Sequence, residues 1–213
     1  MKLLPVYLLL AWVLSACGAA GESDLTNADV LFHDQFVAGQ TGNWVLEGDA
    51  AGRASIVSEQ LHLQVNTPAT LQFTTLAEPT FADFVLEVDA RLIAGDLQSS
   101  YGVLLRMQDS TRFYRFEITG NGLYMVERRN GDGSWTRFVQ DWAETTAVHQ
   151  GFSVVNRLRV EAVGATMRFY VNGTLLHQVT DAQYAAGTIA LDAGTFGQPG
   201  LEVAFDNVVV KRP

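Results

Sequence analysis

Apolar and polar side chains alternate with a period of two in many short segments of this chain. In the segment 84–91, apolar residues occupy every even position, and Glu87 and Asp89 share the other side. No apolar spacing of three and four is sustained, so a helical turn is expected at most in 141–147 or 181–186. Strands with one covered and one solvated face give this alternation, which therefore predicts antiparallel β-sheets packed as a sandwich.

Turn signals separate the alternating segments. Asn121-Gly122 and Asn172-Gly173 each stand between two such segments, and Asn130-Gly131-Asp132-Gly133 leads into another. Asn-Gly pairs accept the positive φ angles of type I′ hairpin turns. A dozen or more short strands with turns between them are typical of a sandwich or barrel. Because no internal repeat or second linker interrupts the pattern, residues 31–213 are predicted to form one domain.

The composition limits the fold and the partners further. The chain has 213 residues, of which 48% are hydrophobic, and this is enough to bury a sizeable core. Its 14 Lys and Arg against 23 Asp and Glu give a formal net charge of −9. Nucleic-acid-binding proteins carry a basic surface instead, so we expect no nucleic-acid partner. A single cysteine excludes an intramolecular disulfide, and the core alone must hold the domain together.

The N-terminus has the pattern of an export signal. Lys2 precedes an apolar run, residues 3–14, which is shorter than a helix needs to cross a bilayer core of about 30 Å. The sequence Leu14-Ser15-Ala16-Cys17 follows and resembles the bacterial lipobox. The resemblance implies that residues 1–16 are removed and that Cys17 carries acyl chains such as palmitate. The alternative is an ordinary signal peptide that is cut after Ala16 and leaves a free thiol.

Residues 17–30 are small and polar, and they are predicted to form a flexible tether between Cys17 and the folded domain. Two or more acyl chains hold a protein on a membrane, because each buried CH₂ group contributes about 0.8 kcal/mol. We therefore expect an exported protein that is lipid-anchored to the outer face of a bacterial membrane.

The order of core and turn residues resembles a known fold family. The matching positions are Tyr101-Gly102, Arg106, Phe113-Tyr114, Phe116-Glu117, Gly122, Tyr124, Trp135, Asn156, Phe169, Val171-Asn172-Gly173, Asp181, Gly187 and Phe205-Asp206-Asn207. They resemble the concanavalin A-like, laminin-G-like jelly rolls of bacteria, and among these the family often labelled 3-keto-disaccharide hydrolase. The resemblance implies an all-β jelly-roll sandwich of two antiparallel sheets. The resemblance also implies that the first and last strands are neighbours. It implies a concave face of the kind that often binds sugar in related proteins.

Catalytic motifs are scarce in this sequence. The four histidines have no metal-ligand spacing, and neither a nucleophile elbow nor a dinucleotide-binding glycine pattern occurs. Glu87 and Asp89 would lie about 6.6 Å apart along one strand, which suits a pair of glycosidase carboxylates. However, the sandwich endoglucanases that this fold resembles use a third acid, and Leu92 or Ile93 occupies its position here. Glu117 is the other available acid for a hydrolase.

A saccharide-binding surface is the preferred hypothesis. Strand parity places Arg106 on one polar strand face and Arg115 with Glu117 on the next, and such groups hydrogen bond to sugar hydroxyls. Trp135 and Tyr170 are candidate aromatic platforms. The full set of candidate carbohydrate-binding residues is Arg106, Arg115, Glu117, Trp135, Tyr170, Glu87 and Asp89.

Two of these interpretations have structural alternatives. Arg106 could instead form an ion pair with Glu117 across neighbouring strands. Trp142 is in phase with Phe138, so it is predicted to belong to the core rather than to the binding surface.

A structural calcium ion is a further hypothesis. The family resemblance places the first and last strands side by side, which would bring Asp34 and Asp206 together as oxygen ligands. The alternative is that Asp206-Asn207 makes turn or bulge contacts. No cofactor is otherwise required.

Three functions follow from these observations, in order of preference. The first is a membrane-anchored, extracytoplasmic glycan-binding module without catalysis, whose partner is an oligosaccharide or polysaccharide. The second is a glycoside or keto-glycoside hydrolase that uses a carboxylate of the concave face. The third is a structural or protein-interaction domain.

Overall fold

The computed structural model describes residues 29–40 and 42–213, which contain fifteen strands and no helix. The strands are β1 (Val30–Asp34), β2 (Gly52–Val57), β3 (Gln60–Val65), β4 (Leu71–Thr75), β5 (Phe84–Ala94), β6 (Ser100–Asp109), β7 (Arg112–Thr119), β8 (Leu123–Arg129), β9 (Trp135–Arg137), β10 (Ala143–Glu144), β11 (Asn156–Val163), β12 (Thr166–Val171), β13 (Thr174–Thr180), β14 (Thr188–Gly194) and β15 (Leu201–Lys211). The prediction of a helical turn is wrong, because 141–147 contains the short strand β10 and 181–186 is irregular.

The strands form two stacked antiparallel sheets. In the first sheet the order is β13-β12-β11-β5-β15-β3-β2, and β1 also pairs with β15. In the second sheet the order is β10-β8-β7-β6-β14-β4, and β9 also pairs with β8. Consecutive strands of the chain repeatedly belong to different sheets, as in a jelly roll. The predicted all-β, two-sheet sandwich is confirmed.

The core lies between the sheets because alternate residues of each strand point inward. In β12, Met167, Phe169 and Val171 are buried, whereas the residues between them are partly exposed. Phe169 packs across the sandwich on Phe116 of β7, with 5.2 Å between the ring centroids. Removing one such ring from a core destabilises a protein by about 3–5 kcal/mol. The alternation seen in the sequence is thus what joins the two sheets into one body.

The Asn-Gly turns occur where they were predicted. Asn172 and Gly173 both have a positive φ, 49° and 81°, as a type I′ turn between β12 and β13 requires. The turn between β7 and β8 differs, because three residues connect these strands and only Gly122 among them has a positive φ, of 93°. Both hairpins connect neighbouring strands of one sheet.

The first and last strands are neighbours, as the family resemblance implied. Val30 of β1 lies opposite Lys211 of β15, and the pairing continues along β1 to its last residue, Asp34. This pairing attaches the first described strand to the first sheet.

The N-terminal predictions concern residues that the structure does not describe. The predicted signal peptide 1–16, the lipidated Cys17 and the tether up to residue 28 lie outside the described residues. Between residues 29 and 213, in the part that is described, no helix has the length and apolar character needed to cross a membrane.

Candidate functional site

A row of polar residues lies on the outer face of the second sheet, which is turned away from the core. Alternation in β7 directs Arg115 and Glu117 to this face. The register places Glu117 opposite Gly102 of β6, and Gly102 opposite Asp192 of β14. Because Gly102 has no side chain, Glu117 and Asp192 face each other across the sheet with nothing between them.

Arg115 binds both of these acids and a third one. Its Nε donates to Asp192 Oδ2 at 2.9 Å, its Nη2 is paired with Glu117 Oε1, and its Nη1 lies 3.5 Å from Glu127 Oε1. Gly194 leaves room for the guanidinium group, since an added Cβ there would lie 3.2 Å from Nη2. Only 11% of the Arg115 side chain is exposed. One buried cation thus serves three buried carboxyl groups.

Several oxygen atoms beside Arg115 are buried without an aligned hydrogen-bond donor or acceptor. They are Ser100 Oγ, both carboxyl oxygens of Glu117, and Asp192 Oδ1. Burial raises the pKa of Glu117 to about 8, and Asp192 adds to this effect while Arg115 opposes it. Burial also raises the pKa of Asp192. The raised pKa favours the protonated form of Glu117, whose O–H group can donate to the carboxylate of Asp192.

Trp135 of β9 stands at the edge of this face. Its ring packs edge-on against Phe113, with 5.9 Å between the centroids. The guanidinium carbons of Arg129 and Arg115 lie 4.9 and 5.9 Å from the centre of the Trp135 ring. Trp135 is nevertheless 37% exposed. It presents a flat apolar surface next to cationic groups.

A second aromatic pair lies on the same face, near β10. Trp142 and Phe196 meet edge-on, with 5.9 Å between their centroids. The prediction that Trp142 belongs to the core describes only part of its environment. Trp142 is partly buried against the core, but it also lines an open cavity together with Phe196. Phe196 escaped prediction because it follows β14 in an irregular segment, where strand parity gives no direction.

Two acids of the site, Glu127 and Asp192, also escaped prediction. Asp192 is the one charged residue of β14, and every other residue of that strand is apolar, Gly or Thr. A lone carboxylate inside an otherwise apolar strand is a signal of a buried partner, because an unpaired buried charge is strongly destabilising. That signal could have identified Asp192 but not the arginine that pairs with it.

Arg106 does not lie on this face, contrary to the parity prediction. It is fully buried, and it donates to Ala82 O at 2.8 Å and to Tyr184 O at 3.3 Å. Its φ of 46° marks a bulge in β6, where the register with β7 shifts and strand parity is lost. The alternative pair with Glu117 is also wrong, because Arg115 occupies that position. Arg106 holds two loops together and does not reach a ligand.

Glu87 and Asp89 lie on the outer face of the first sheet, across the sandwich from Glu117. Asp89 accepts two hydrogen bonds from Arg157, at 2.8 and 3.0 Å, and Glu87 lies 3.3 Å from Lys211 Nζ. Tyr170 projects from β12 on that same outer face. The structure therefore divides the candidate residues between two opposite faces. Glu87 and Asp89 cannot act in one site with Glu117.

Asp34 and Asp206 lie on the two neighbouring strands that the calcium hypothesis requires. Both carboxylates accept hydrogen bonds from N–H groups, Asp34 from the Phe36 amide and Asp206 from the Asn207 amide, each at 2.7 Å. Asn207 has a φ of 52° and sits where the register of β15 shifts, which is the bulge of the alternative reading. In the described part of the chain, no three His, Cys, Asp or Glu side chains are grouped as a metal site would need.

Solved structures share this architecture. The carbohydrate-binding module CBM66 from Bacillus subtilis has a TM-score of 0.64 at 16% identity, covering 79% of this chain and 95% of that one. A Bacillus subtilis protein of unknown function with a galectin-like fold has a TM-score of 0.66 at 12% identity, covering 86% and 96%. The Bacillus licheniformis beta-glucanase has a TM-score of 0.62 at 14% identity, covering 85% and 98%. At these identities the similarity establishes the fold.

Sequence comparison gives a more specific result. No curated protein matches the chain. The profile of the 3-keto-alpha-glucoside-1,2-lyase-like domain, however, matches residues 27–211, which include all fifteen strands. The chain therefore belongs to the family of 3-keto-alpha-glucoside-1,2-lyase-like domains.

Proposed function

We propose that the protein is a glycan-binding module that holds a saccharide on the outer face of the second sheet without cleaving it. The observation that carries this proposal is the 37% exposed indole of Trp135, whose ring centre lies 4.9 Å from the guanidinium carbon of Arg129 and 5.9 Å from that of Arg115. An aromatic ring packs on the C–H face of a sugar, while the planar guanidinium group of Arg129 is available to hydrogen bond to its hydroxyls. The family and the carbohydrate-related neighbours support a saccharide as the ligand.

The buried acids suit a role in positioning. Asp192 and Glu117 are 0% and 1% exposed, so they do not reach a ligand that rests on the surface. They do hold the guanidinium of Arg115 in one orientation next to Trp135. A side chain that is already fixed loses little conformational entropy when a ligand binds, which favours affinity.

A glycan array probed with the full chain tests this proposal. Trp135→Ala should lower the affinity for the saccharides that bind by about tenfold, because it removes a stacking surface worth roughly 1.4 kcal/mol. Tyr170→Ala is the matched control, since Arg159 lies 5.5 Å from the Tyr170 ring on the opposite face of the molecule. Equal losses in the two variants, or no saccharide bound by the wild type, would overturn the proposal.

A glycoside hydrolase or lyase is the second candidate, and one observation favours it. Glu117 has a pKa of about 8 and faces Asp192, so a protonated acid and a carboxylate lie side by side. Such a pair can serve as a general acid and base. Binding is preferred because Arg115 covers both groups. Release of p-nitrophenol from nitrophenyl glycosides, abolished by Glu117→Gln, would favour the enzyme.

We further propose that acyl chains on Cys17 anchor the protein to a membrane. The support is the lipobox-like sequence Leu14-Ser15-Ala16-Cys17 and the single cysteine of the chain. Mass spectrometry of the membrane-extracted protein should show an acylated N-terminal Cys17. The variant Cys17→Ser should move the protein from the membrane fraction to the soluble fraction. An unmodified Cys17 thiol would contradict the anchor while leaving the glycan-binding proposal intact.

A further inference from the structure

A cavity of about 270 Å³ opens beside the second aromatic pair. Trp142, Phe196 and Leu123 supply its apolar walls, and Gln98 and Thr119 supply its polar groups. Phe196 is 51% exposed, although it is large and apolar. Apolar and aromatic walls with a few polar groups are the usual composition of a small-molecule site.

A larger cavity, of about 830 Å³, adjoins the first one and shares Leu123 with it. Its other lining residues are Asn121, Gly122, Glu144, Thr145, Thr146 and Gln150. The amide side chains of Asn121 and Gln150 can both donate and accept hydrogen bonds, as can the threonine hydroxyls. Sugar hydroxyls require partners of both kinds. The two cavities therefore combine a stacking wall with a hydrogen-bonding wall.

The charge of these cavities limits the class of sugar. Neither cavity is lined by Lys, Arg or His, and Glu144 is the single charged residue among the lining side chains. The whole chain also carries a formal net charge of −9. A uronic or sialic acid would meet a carboxylate there and no cation, so an uncharged sugar fits better.

The two aromatic groups lie far apart along one strand. Trp135 is opposite Arg129 of β8, and Ala143, the residue after Trp142, is opposite Tyr124 of the same strand. Trp142 therefore lies level with Met125, four residues from Arg129 along β8, which corresponds to about 13 Å. This distance exceeds one sugar ring. A ligand that touches both aromatic groups must therefore be an oligosaccharide.

We infer that the cavity beside Trp142 and Phe196 is a second saccharide subsite that binds an uncharged sugar ring. With Trp135 it forms one binding track along β8 for an oligosaccharide of several residues, which is uncharged where it occupies this cavity. This inference rests on the proposed glycan-binding function and specifies its ligand class. Trp135 is the anchor at one end of the track, and Phe196 is the anchor at the other.

Titration calorimetry with the full chain tests the inference. The probes are the cello-, laminari- and malto-oligosaccharides from disaccharide to hexasaccharide, with oligogalacturonides as acidic counterparts. For the neutral series that binds, the wild-type affinity should rise with chain length. Phe196→Ala should remove that rise and lower the hexasaccharide affinity about tenfold, with little effect on the disaccharide held at Trp135. Leu175→Ala removes a similarly exposed apolar side chain, 49% exposed on β13, and should change nothing.

The outcomes separate this inference from the proposal beneath it. If Trp135→Ala weakens binding but Phe196→Ala does not at any chain length, the second subsite is wrong and the glycan-binding function stands. Preferential binding of oligogalacturonides would also overturn the neutral subsite without affecting that function. If the wild type binds none of these probes, the inference fails, and the proposed function fails with it only if the glycan array also shows no bound saccharide. Circular dichroism of each variant confirms that the sandwich is folded.

Discussion

The outer faces of the two sheets contain similar residue types with different degrees of burial and different pairing. On the first sheet, Glu87 pairs with Lys211 and Asp89 with Arg157, whose side chain is 58% exposed. On the second sheet, Arg115 is largely buried beneath the surface with its acids. The first face has roughly one cation for each acid, and the second has one buried cation for three acids.

This difference in pairing distinguishes a surface with exposed ion pairs from a preorganised site with buried ones. Exposed pairs such as Arg168 with Glu161 are screened by water and contribute little to stability, so they tolerate change. Buried charges that share one partner are strongly coupled, because each loses its hydration and depends on the remaining groups. The second face is thus the one whose side chains are held in a fixed arrangement, and it is also the face that carries the exposed aromatic rings.

The largest predicted effect comes from removing the shared cation. Arg115→Ala leaves Asp192 and Glu127 without their buried partner, and it should lower the free energy of unfolding by about 3–5 kcal/mol. Urea denaturation at neutral pH followed by tryptophan fluorescence measures this change. A loss below about 1 kcal/mol would mean that the second face behaves like the first and would break the comparison.

The next prediction concerns the proton on Glu117. Its pKa in the folded protein, about 8, exceeds its ordinary value of 4.5, so the folded state keeps a proton that the unfolded chain releases. Stability should therefore fall as the pH rises from 4.5 to 8, by about 2–4 kcal/mol. Glu117→Gln stays neutral and should not lose this stability. Unfolding midpoints measured across that pH range would contradict the prediction if wild type and variant ran parallel.

Asp89 on the first face should show the opposite pH dependence. Burial alone would raise the pKa of Asp89, but hydrogen bonds from Arg157 and Asn207 outweigh it and lower the pKa below 3.8. The stability that Asp89 contributes is therefore present above pH 3.8 and is lost as the pH falls below that value. Asp89→Asn should cost about 1–2 kcal/mol at neutral pH and less in acid. An equal cost at every pH would point to packing instead of charge.

The smallest predicted effect is on an exposed ion pair of the first face. Arg168 is 43% exposed and lies 3.5 Å from a carboxyl oxygen of Glu161. Arg168→Ala should change the free energy of unfolding by less than about 1 kcal/mol, and less still in high salt. Arg168→Ala and Arg115→Ala should be measured in the same denaturation experiment, so that the losses in the free energy of unfolding on the two faces can be compared directly. A change as large as that of Arg115→Ala would remove the distinction between the faces.

Local patterns in the sequence predicted the strands and turns well. The alternation in 84–91 placed Glu87 and Asp89 on one strand face, and Asn172-Gly173 marked a type I′ turn. Both signals depend on neighbours in the chain, and therefore a single sequence contains them. Parity also directed Arg115 and Glu117 to one face correctly, because β7 has no bulge between them.

Features that depend on contacts between distant parts of the chain could not be predicted from local sequence patterns. Parity failed at Arg106 because the bulge in β6 depends on contacts with the segment near Gly187, where an added Cβ would lie 2.4 Å from the Arg106 carbonyl carbon. The sequence also could not assign Glu87 and Glu117 to different sheets, because sheet order is set by pairings between distant strands. The cavity beside Trp142 and Phe196 takes both of these aromatic walls from irregular segments, where no periodic pattern exists.

The pairing of Val30 with Lys211 brings the two ends of the described chain together. A short peptide could therefore join residue 213 to residue 29, with new termini opened in the exposed turn at Gly173, where no atom lies within 4 Å of an added Cβ. Such a circular permutant would keep all contacts between strands except that one hairpin connection. We therefore expect the architecture of the sandwich to be independent of which strand comes first in the chain.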